Sequence, residues 1–357
     1  MTTEFHITPL DCNLQQTLQQ KIDNLNKPKG SLGRLEELAL QIGMIQQSLT
    51  PLLRCPHHIL FGADHGIERE GVSISPREVT YQQMVNFTQG GGGVNMFCRQ
   101  HGVELILVDV GVDYELTSYP QIRAHKIAHG TNNFLHEAAM TEAQMNTALE
   151  VGARTVSECY DAGCNIISIG EMGIGNTSPS AIWMHLLTQI PLEQCVGAGA
   201  GLSHEGVRHK LNILSKAVEN FHRTHPAYSP DSLSKNEVHE IMRWFGGFEM
   251  VAAIGAMLRA AELRMIVLVD GFIMSACMLI ASRLHPEVMQ YAVFCHEGDE
   301  AGHRLMLQNM GVRGLLQLSM RLGEGTGALC AYPLLQSAVN MLNEMNNFDR
   351  AHITKYF

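Results

Sequence analysis

The chain has 357 residues, 45% of them hydrophobic and 17% charged, with a formal net charge of −10. A chain of this length can bury a large core as one α/β unit or as two domains, and the composition is that of an ordinary soluble globular protein. The acidic balance argues against a nucleic-acid partner, which needs a clustered basic surface to neutralise phosphates, and favours a small-molecule ligand.

In chain order, the N-terminus MTTEFHITPLD lacks both a basic stretch and an apolar run, so no signal peptide is expected. Leu35, Leu38, Ala39, Ile42, Ile45 and Leu49 then recur at helical spacing. From there six short apolar or β-branched runs follow, each ending at glycine, acid or histidine: 57–64, 103–111, 164–171, 194–201, 264–271 and 291–296. Helical segments separate them, as with Ala253, Met257, Ala260 and Ala261. Strands alternating with helices imply a parallel sheet covered on both faces, with ligands bound beyond the carboxyl ends of the strands. After Pro333 a second apolar helical stripe runs through Leu335, Ala338, Leu342 and Met345. Both stripes lie outside the strand region, which predicts a small helical domain from residues 1–50 and 331–357 and an α/β domain over 51–330.

The most membrane-like stretch, Met265 to Ala281, carries Asp270 and Gly271 near its middle. A central Asp costs roughly 2.5 to 3.5 kcal/mol on insertion scales, so a strand leading to a helix is expected there and no membrane span. The nine cysteines, at 12, 55, 98, 159, 164, 195, 277, 295 and 330, form no CxxC pair and read as reduced thiols of a cytoplasmic protein.

Several segments carry candidate chemistry. In RLGEGTGALC (321–330) a single carboxylate, Glu324, stands among glycines, whose freedom at positive φ lets a ligand approach closely. Glu324 is either a positioned catalytic group or a solvated residue at a helix C-cap. IGEMGIGNTSPSA (169–181) follows the third run, and Asn176, Thr177 and Ser178 suit a helix N-terminus able to hold a phosphate or carboxylate. GAGAGL (197–202) is not a dinucleotide fingerprint, because Leu202 stands where the third glycine belongs. Arg208, His209 and Lys210 beyond it are either phosphate cations or a surface turn. Asp64 with His65, and His296 with Glu300 and His303, are the candidate metal groups, without HExxH spacing; for the second a hydrogen-bonded strand-end network is the competing reading. Gly90 to Gly93 marks a hinge or close-approach loop.

Taken in order, KPKGSLGRLEELA (27–39), GADHGI, VSISPREVTYQQMVNF (72–87), IGEMGIGNTSPSA, WFGGFEMVAAIGAML (244–258), VLVDGF and RLGEGTGA resemble the motifs of the nicotinate-nucleotide:dimethylbenzimidazole phosphoribosyltransferase family, across roughly residues 10 to 345. The resemblance implies a Rossmann-like, mostly parallel six-stranded sheet, and a homodimer in which the neighbouring subunit completes the active site. It implies transfer of phosphoribose from nicotinate mononucleotide to a benzimidazole-type base, with inversion at C1′, no cofactor and no metal. By position Glu324 matches the general base. Ser75, Gln83, Phe87 and Leu322 match the benzimidazole side, with Gly323 beside the base. Glu171, Gly173, Asn176 and Lys210 match the nucleotide side. The resemblance leaves the accepted base open among dimethylbenzimidazole, other benzimidazoles, adenine and phenols, because apolar pockets discriminate by only about 1 to 3 kcal/mol per methyl-sized difference. Two other functions compete: a non-catalytic nucleotide-binding protein, and a metal-dependent hydrolase built on His296, Glu300 and His303.

Overall fold

A computed structural model describes residues 4–226, 228 and 233–355. Six strands, β1 (His57–Ala63), β2 (Glu104–Gly111), β3 (Ile122–Ala124), β4 (Ile166–Met172), β5 (Ile266–Val269) and β6 (Ala292–Phe294), form one sheet in the order β3-β2-β1-β4-β5-β6. Every pairing is parallel. Apart from the edge strand β3, the strands are predominantly apolar and buried almost throughout, as a sheet covered on both faces requires.

The helices before β4 are α1 (Gln15–Asp23), α2 (Arg34–Gln46), α3 (Glu78–Thr88), α4 (Gly93–His101) and α5 (Glu142–Asp161). After β4 come α6 (Thr177–Thr188), α7 (Leu192–Cys195), α8 (His204–Thr224), α9 (Lys235–Phe245) and α10 (Phe248–Glu262). Then follow α11 (Phe272–Leu284), α12 (His303–Asn309), α13 (Thr326–Glu344) and α14 (Phe348–Ala351). α10 is buried nearly all round and crosses α5 backbone to backbone. A Cβ on Gly152 would fall 1.8 Å from the Ala252 carbonyl oxygen, and one on Gly255 2.1 Å from that of Leu149. These two glycines set how closely α5 and α10 approach.

α2 packs against α13, and Asn26 N donates to Asn346 O, so the two ends of the chain meet. α13 also packs on α4 and β4, and the buried residues of α2 and α13 belong to one continuous core with the strands.

Several sequence expectations need correction. Residues 194–201 are not a strand: α7 ends at Cys195, and Gly199 and Gly201 take φ of 53° and 116°, which no strand accommodates. The sixth strand is instead β3, three residues long, within a segment that carries no apolar run. The last long helix begins at Thr326 and not after Pro333, which lies inside it. Leu49 lies beyond the end of α2, where Gln47 adopts the left-handed conformation, and is exposed.

Candidate functional site

The strand order reverses between β1 and β4, running outward through β2 on one side and through β5 on the other. In such sheets the crevice beyond the carboxyl strand ends is the natural binding place. A cavity of about 380 Å³ lies there, within the range of small-molecule sites.

Glu324 forms part of its wall. Gly323, Glu324 and Gly325 are consecutive residues with φ of 84°, 60° and 80°. Glycine adopts this conformation freely, whereas for Glu324 it costs on the order of 1 to 2 kcal/mol. The turn leads into α13, so this carboxylate stands at a helix N-terminus and not at the C-cap read from sequence. Its Oε2 accepts a hydrogen bond of 3.2 Å from Val94 N in the first turn of α4. Burial pushes the carboxyl above its ordinary pKa and the Asp270 charge adds to this, while the Val94 and Gly93 amides pull the other way. The result is a carboxylate with few polar partners, more basic than usual, beside the cavity.

Glu171, the penultimate residue of β4, lies in the same wall. Its Oε2 accepts from the Asn176 side-chain amide, and its Oε1 lies so close to Gly323 that a Cβ there would fall 2.6 Å away. Burial, then the charges of Glu249, Asp270 and Glu324, push its pKa to about 8, with only the Asn176 bond opposing. Glu171 is therefore a mostly neutral acid at pH 7.

Across the cavity α6 begins. Asn176 stands at its N-cap position but gives its side chain to Glu171. Lys210 reaches from α8 to donate to Thr177 Oγ1 at 2.7 Å and to Gly197 O at 3.5 Å. Only 1% of Lys210 is exposed, and burial pushes its pKa down to about 8 against the Glu300 charge. Ser178 Oγ, in the same first turn, is buried and has no hydrogen-bond partner among the described residues. Ile174 N donates to Thr80 Oγ1 at 3.1 Å, which ties the Gly173–Gly175 loop to α3.

Of the residues singled out from sequence, Ser75, Gln83, Glu171, Gly173, Asn176, Leu322, Gly323 and Glu324 line this cavity. Phe87 and Lys210 do not. Phe87 is buried under the 90–93 loop, its ring so close to Gly92 that a Cβ there would fall 2.4 Å away, and so it supports the loop that starts α4. Lys210 lies behind Thr177 and Gly199. A Cβ on Gly199 would fall 3.7 Å from its Nζ.

The histidine cluster does not converge as a ligand set. His296 Nε2 faces Asp270 at 3.4 Å, His303 Nε2 meets Ser275 Oγ at 3.0 Å, and Glu300 Oε1 accepts from Gly199 N at 3.0 Å. Among the described residues no three His, Cys, Asp or Glu side chains converge as metal ligands. Asp64 and His65 likewise part company. Asp64 Oδ2 accepts from Asp113 N at 2.8 Å, while His65 pairs with Glu249 at 2.6 Å, buried behind Gly173.

Sequence reasoning gave no role to two acids that stand inside the quoted motifs, Asp270 in VLVDGF and Glu249 in WFGGFEMVAAIGAML. Asp270 faces the cavity, accepts from Ala328 N at 2.9 Å in the first turn of α13, and lies below its ordinary pKa: burial pushes it up, but the bond to His296 and that residue's charge outweigh this. Glu249 is fully buried in the first turn of α10, ahead of an apolar run from Met250 to Leu258. The available signal was an acid in an apolar run, which marks a buried paired group. Among the described residues no helix is long and apolar enough to cross a membrane. Six of the nine cysteines are buried, Cys330 is partly so, and all are free.

Comparisons with known proteins bear on the family and the fold. A family model described as Phosphoribosyltransferase (DBI_PRT) matches residues 7–353. A nicotinate-nucleotide–dimethylbenzimidazole phosphoribosyltransferase of Bacteroides fragilis is 58% identical over 353 residues, covering 99% of each chain. That of Dechloromonas aromatica is 45% identical over 98% of each. The crystal structure of CobT from Thermus thermophilus superposes with a TM-score of 0.89 at 34% identity, covering 96% of this chain and 99% of that one.

Proposed function

This chain belongs to the nicotinate-nucleotide–dimethylbenzimidazole phosphoribosyltransferase family and is a phosphoribosyltransferase of cobalamin lower-ligand synthesis, and we propose that Glu324 is the base of its reaction. The substrates are nicotinate mononucleotide and 5,6-dimethylbenzimidazole or a related base. An azole nitrogen attacks C1′ of the ribose while the C1′–N bond to nicotinate breaks, its electron pair passing to the pyridinium nitrogen. The leaving group departs as a neutral ring and needs no acid. The azole must lose its ring proton, which goes to Glu324. Attack from the face opposite nicotinate inverts C1′, giving α-ribazole 5′-phosphate.

One observation carries this reading: a buried carboxylate on the cavity wall whose pKa is raised toward working pH, as a general base requires. The remaining placements follow from it. Ser75, Gln83 and Leu322 flank the azole, with Phe87 acting from behind through the 90–93 loop. Gly323 gives Glu171 room, and Glu171, Gly173 and Asn176 face the nucleotide. The first turn of α6 with Lys210 holds the 5′-phosphate. Leu322 and Ile74, beside the cavity segments, are 58% and 64% exposed, the kind of surface a second copy covers in a homodimer that completes the site. The test is conversion of nicotinate mononucleotide and dimethylbenzimidazole to α-ribazole phosphate and nicotinate, with Glu324→Gln as the negative control. Unchanged turnover in that variant would remove the base assignment.

A further inference from the structure

Beneath the Glu324 turn lies a histidine that none of the chemistry above uses. His58, on β1, is fully buried, and its Nδ1 lies 2.6 Å from Ser168 Oγ on β4. Its ring fills the space under the turn. A Cβ on Gly325 would fall 2.0 Å from His58 Cε1. A Cβ on Gly170 would fall 2.5 Å from the Glu324 carbonyl oxygen and 2.7 Å from His58 Nε2, which puts that nitrogen and that carbonyl on the same side of β4. Among the described residues Nε2 has no partner of full hydrogen-bond geometry, although the Glu324 backbone already acts on the ring. Gly170 and Gly325 thus leave room for one thing, an imidazole pressed against the backbone of the general base.

We propose that His58 is a positioning residue for the reaction: its ring holds the left-handed Glu324 from below, with Ser168 donating to Nδ1 and the Nε2 proton directed at the Glu324 carbonyl. The inference rests on the assignment of Glu324 as base. Burial pushes the His58 pKa down to about 4, against the Asp270 charge at the end of β5 and the Glu324 backbone, so the ring is neutral at working pH and carries one proton. Its other neighbours, Ser168 and Gly170 on β4 and its register partner Leu105 on β2, are uncharged. A neutral ring suits the place, because a cation there would lower the basicity of Glu324.

The reason to expect an effect is geometric. A left-handed non-glycine residue relaxes when its support is removed, and a shift of about 1 Å in a reacting group costs on the order of 100-fold in rate. His58→Leu removes the N–H at similar volume, and His58→Gln restores a donor near Nε2. The expected result is a fall in kcat of about 10- to 100-fold in His58→Leu, with both KM values within about threefold of the parent, and recovery of most of the loss in His58→Gln. A kcat unchanged in His58→Leu, a loss confined to KM, or a glutamine variant no better than leucine would overturn the proposal. If His58→Leu does not fold, Ser168→Ala frees Nδ1 while leaving the ring. It should lower kcat several-fold at constant KM, and parental kcat would overturn the proposal.

A second readout does not need turnover. Carbon-13 NMR titration of the Glu324 carboxyl should show its raised pKa moving toward the ordinary glutamate value, about 4.3, in His58→Leu and returning in His58→Gln. An unmoved titration would overturn the positioning role. Absence of turnover in the parent enzyme would instead count against the assigned reaction, so the two failures are distinguishable.

Discussion

Two buried groups of opposite charge flank the cavity, Glu324 in its wall and Lys210 behind Thr177 and Gly199, and the protein holds them in different ways. Glu324 is a carboxylate placed at the amide end of α4, where the helix dipole and the Val94 N–H favour the negative form. Lys210 is a cation placed at the amide end of α6, where the same dipole disfavours it, and its bonds go to a hydroxyl and a carbonyl. The first arrangement is complete without substrate. The second feels the Glu300 charge but has no carboxylate bonded to it, and gains a matching charge in contact when an anion arrives between the helix end and the ammonium. A base must be ready before the azole binds, whereas a phosphate clamp discriminates best when it is satisfied only by phosphate.

The largest expected effect is at the Glu324 end. Glu324→Gln keeps the shape and the possibility of a bond to Val94 but removes the base, so kcat/KM should fall by about 10² to 10⁴, with the nucleotide KM little changed. Steady-state kinetics at fixed saturating nucleotide measures this. A large rise in nucleotide KM would mean that the two ends are not separable.

Phe87 tests the same end through packing. Its ring lies under Gly92, at the entry to α4, and removing it leaves a cavity beneath the loop that delivers the Val94 amide. Phe87→Ala should cost about 3 to 5 kcal/mol of unfolding free energy by denaturant titration. It should also lower kcat more than either KM. A stable variant with only a raised azole KM would return Phe87 to the pocket wall.

At the other end, Lys210→Met keeps most of the buried volume and removes the charge. Loss of one charge-assisted hydrogen bond, about 1.5 to 3 kcal/mol, should raise the nucleotide KM by about 10- to 100-fold while leaving the azole KM near its parental value. Free nicotinate riboside, which lacks the phosphate, should not distinguish the variant from the parent. Burial of an ammonium with no carboxylate bonded to it also predicts that the variant is no less stable than the parent.

What was legible in the sequence divides along the same line. Glu324, Glu171 and Asn176 sit in glycine-punctuated segments, and such segments announce both a strand end and a close approach. The parallel sheet was legible for the same reason, since five of its strands lie in short apolar or β-branched runs. β3 was not, because three residues at a sheet edge carry too little burial to leave a pattern. Gly197–Gly201 misled in the opposite direction, since small residues there serve a loop that passes Thr177 and Lys210 and pairs with no strand among the described residues. Pro333 read as a helix start because proline favours first turns, yet α13 continues through it. Phe87 and His58 show a further limit: an apolar or aromatic side chain in a strand or helix pattern gives its element but not whether it faces the cavity or supports it from behind.

Glu171 links the two ends, touching Gly323 with one oxygen and Asn176 with the other, and gives the smallest and most specific effect. Its folded pKa is about 8, against roughly 4.3 in an unfolded chain, so the folded state holds the proton more tightly. Its contribution to stability is therefore full below the unfolded value and is lost as pH rises through the folded one. Across about pH 5 to 8 the parent should lose stability relative to Glu171→Gln by at most about 1.4 kcal/mol per pH unit, and the two curves should run parallel above pH 8. Unfolding free energies of both proteins at matched pH test this, with Lys210 cancelling because both carry it. Parallel curves from pH 5 to 8 would mean that Glu171 is ionised in the folded protein. The carboxyl between base and phosphate clamp would then add a third negative charge to the wall beside Glu324 and Asp270, and repulsion would join burial in raising the basicity of Glu324.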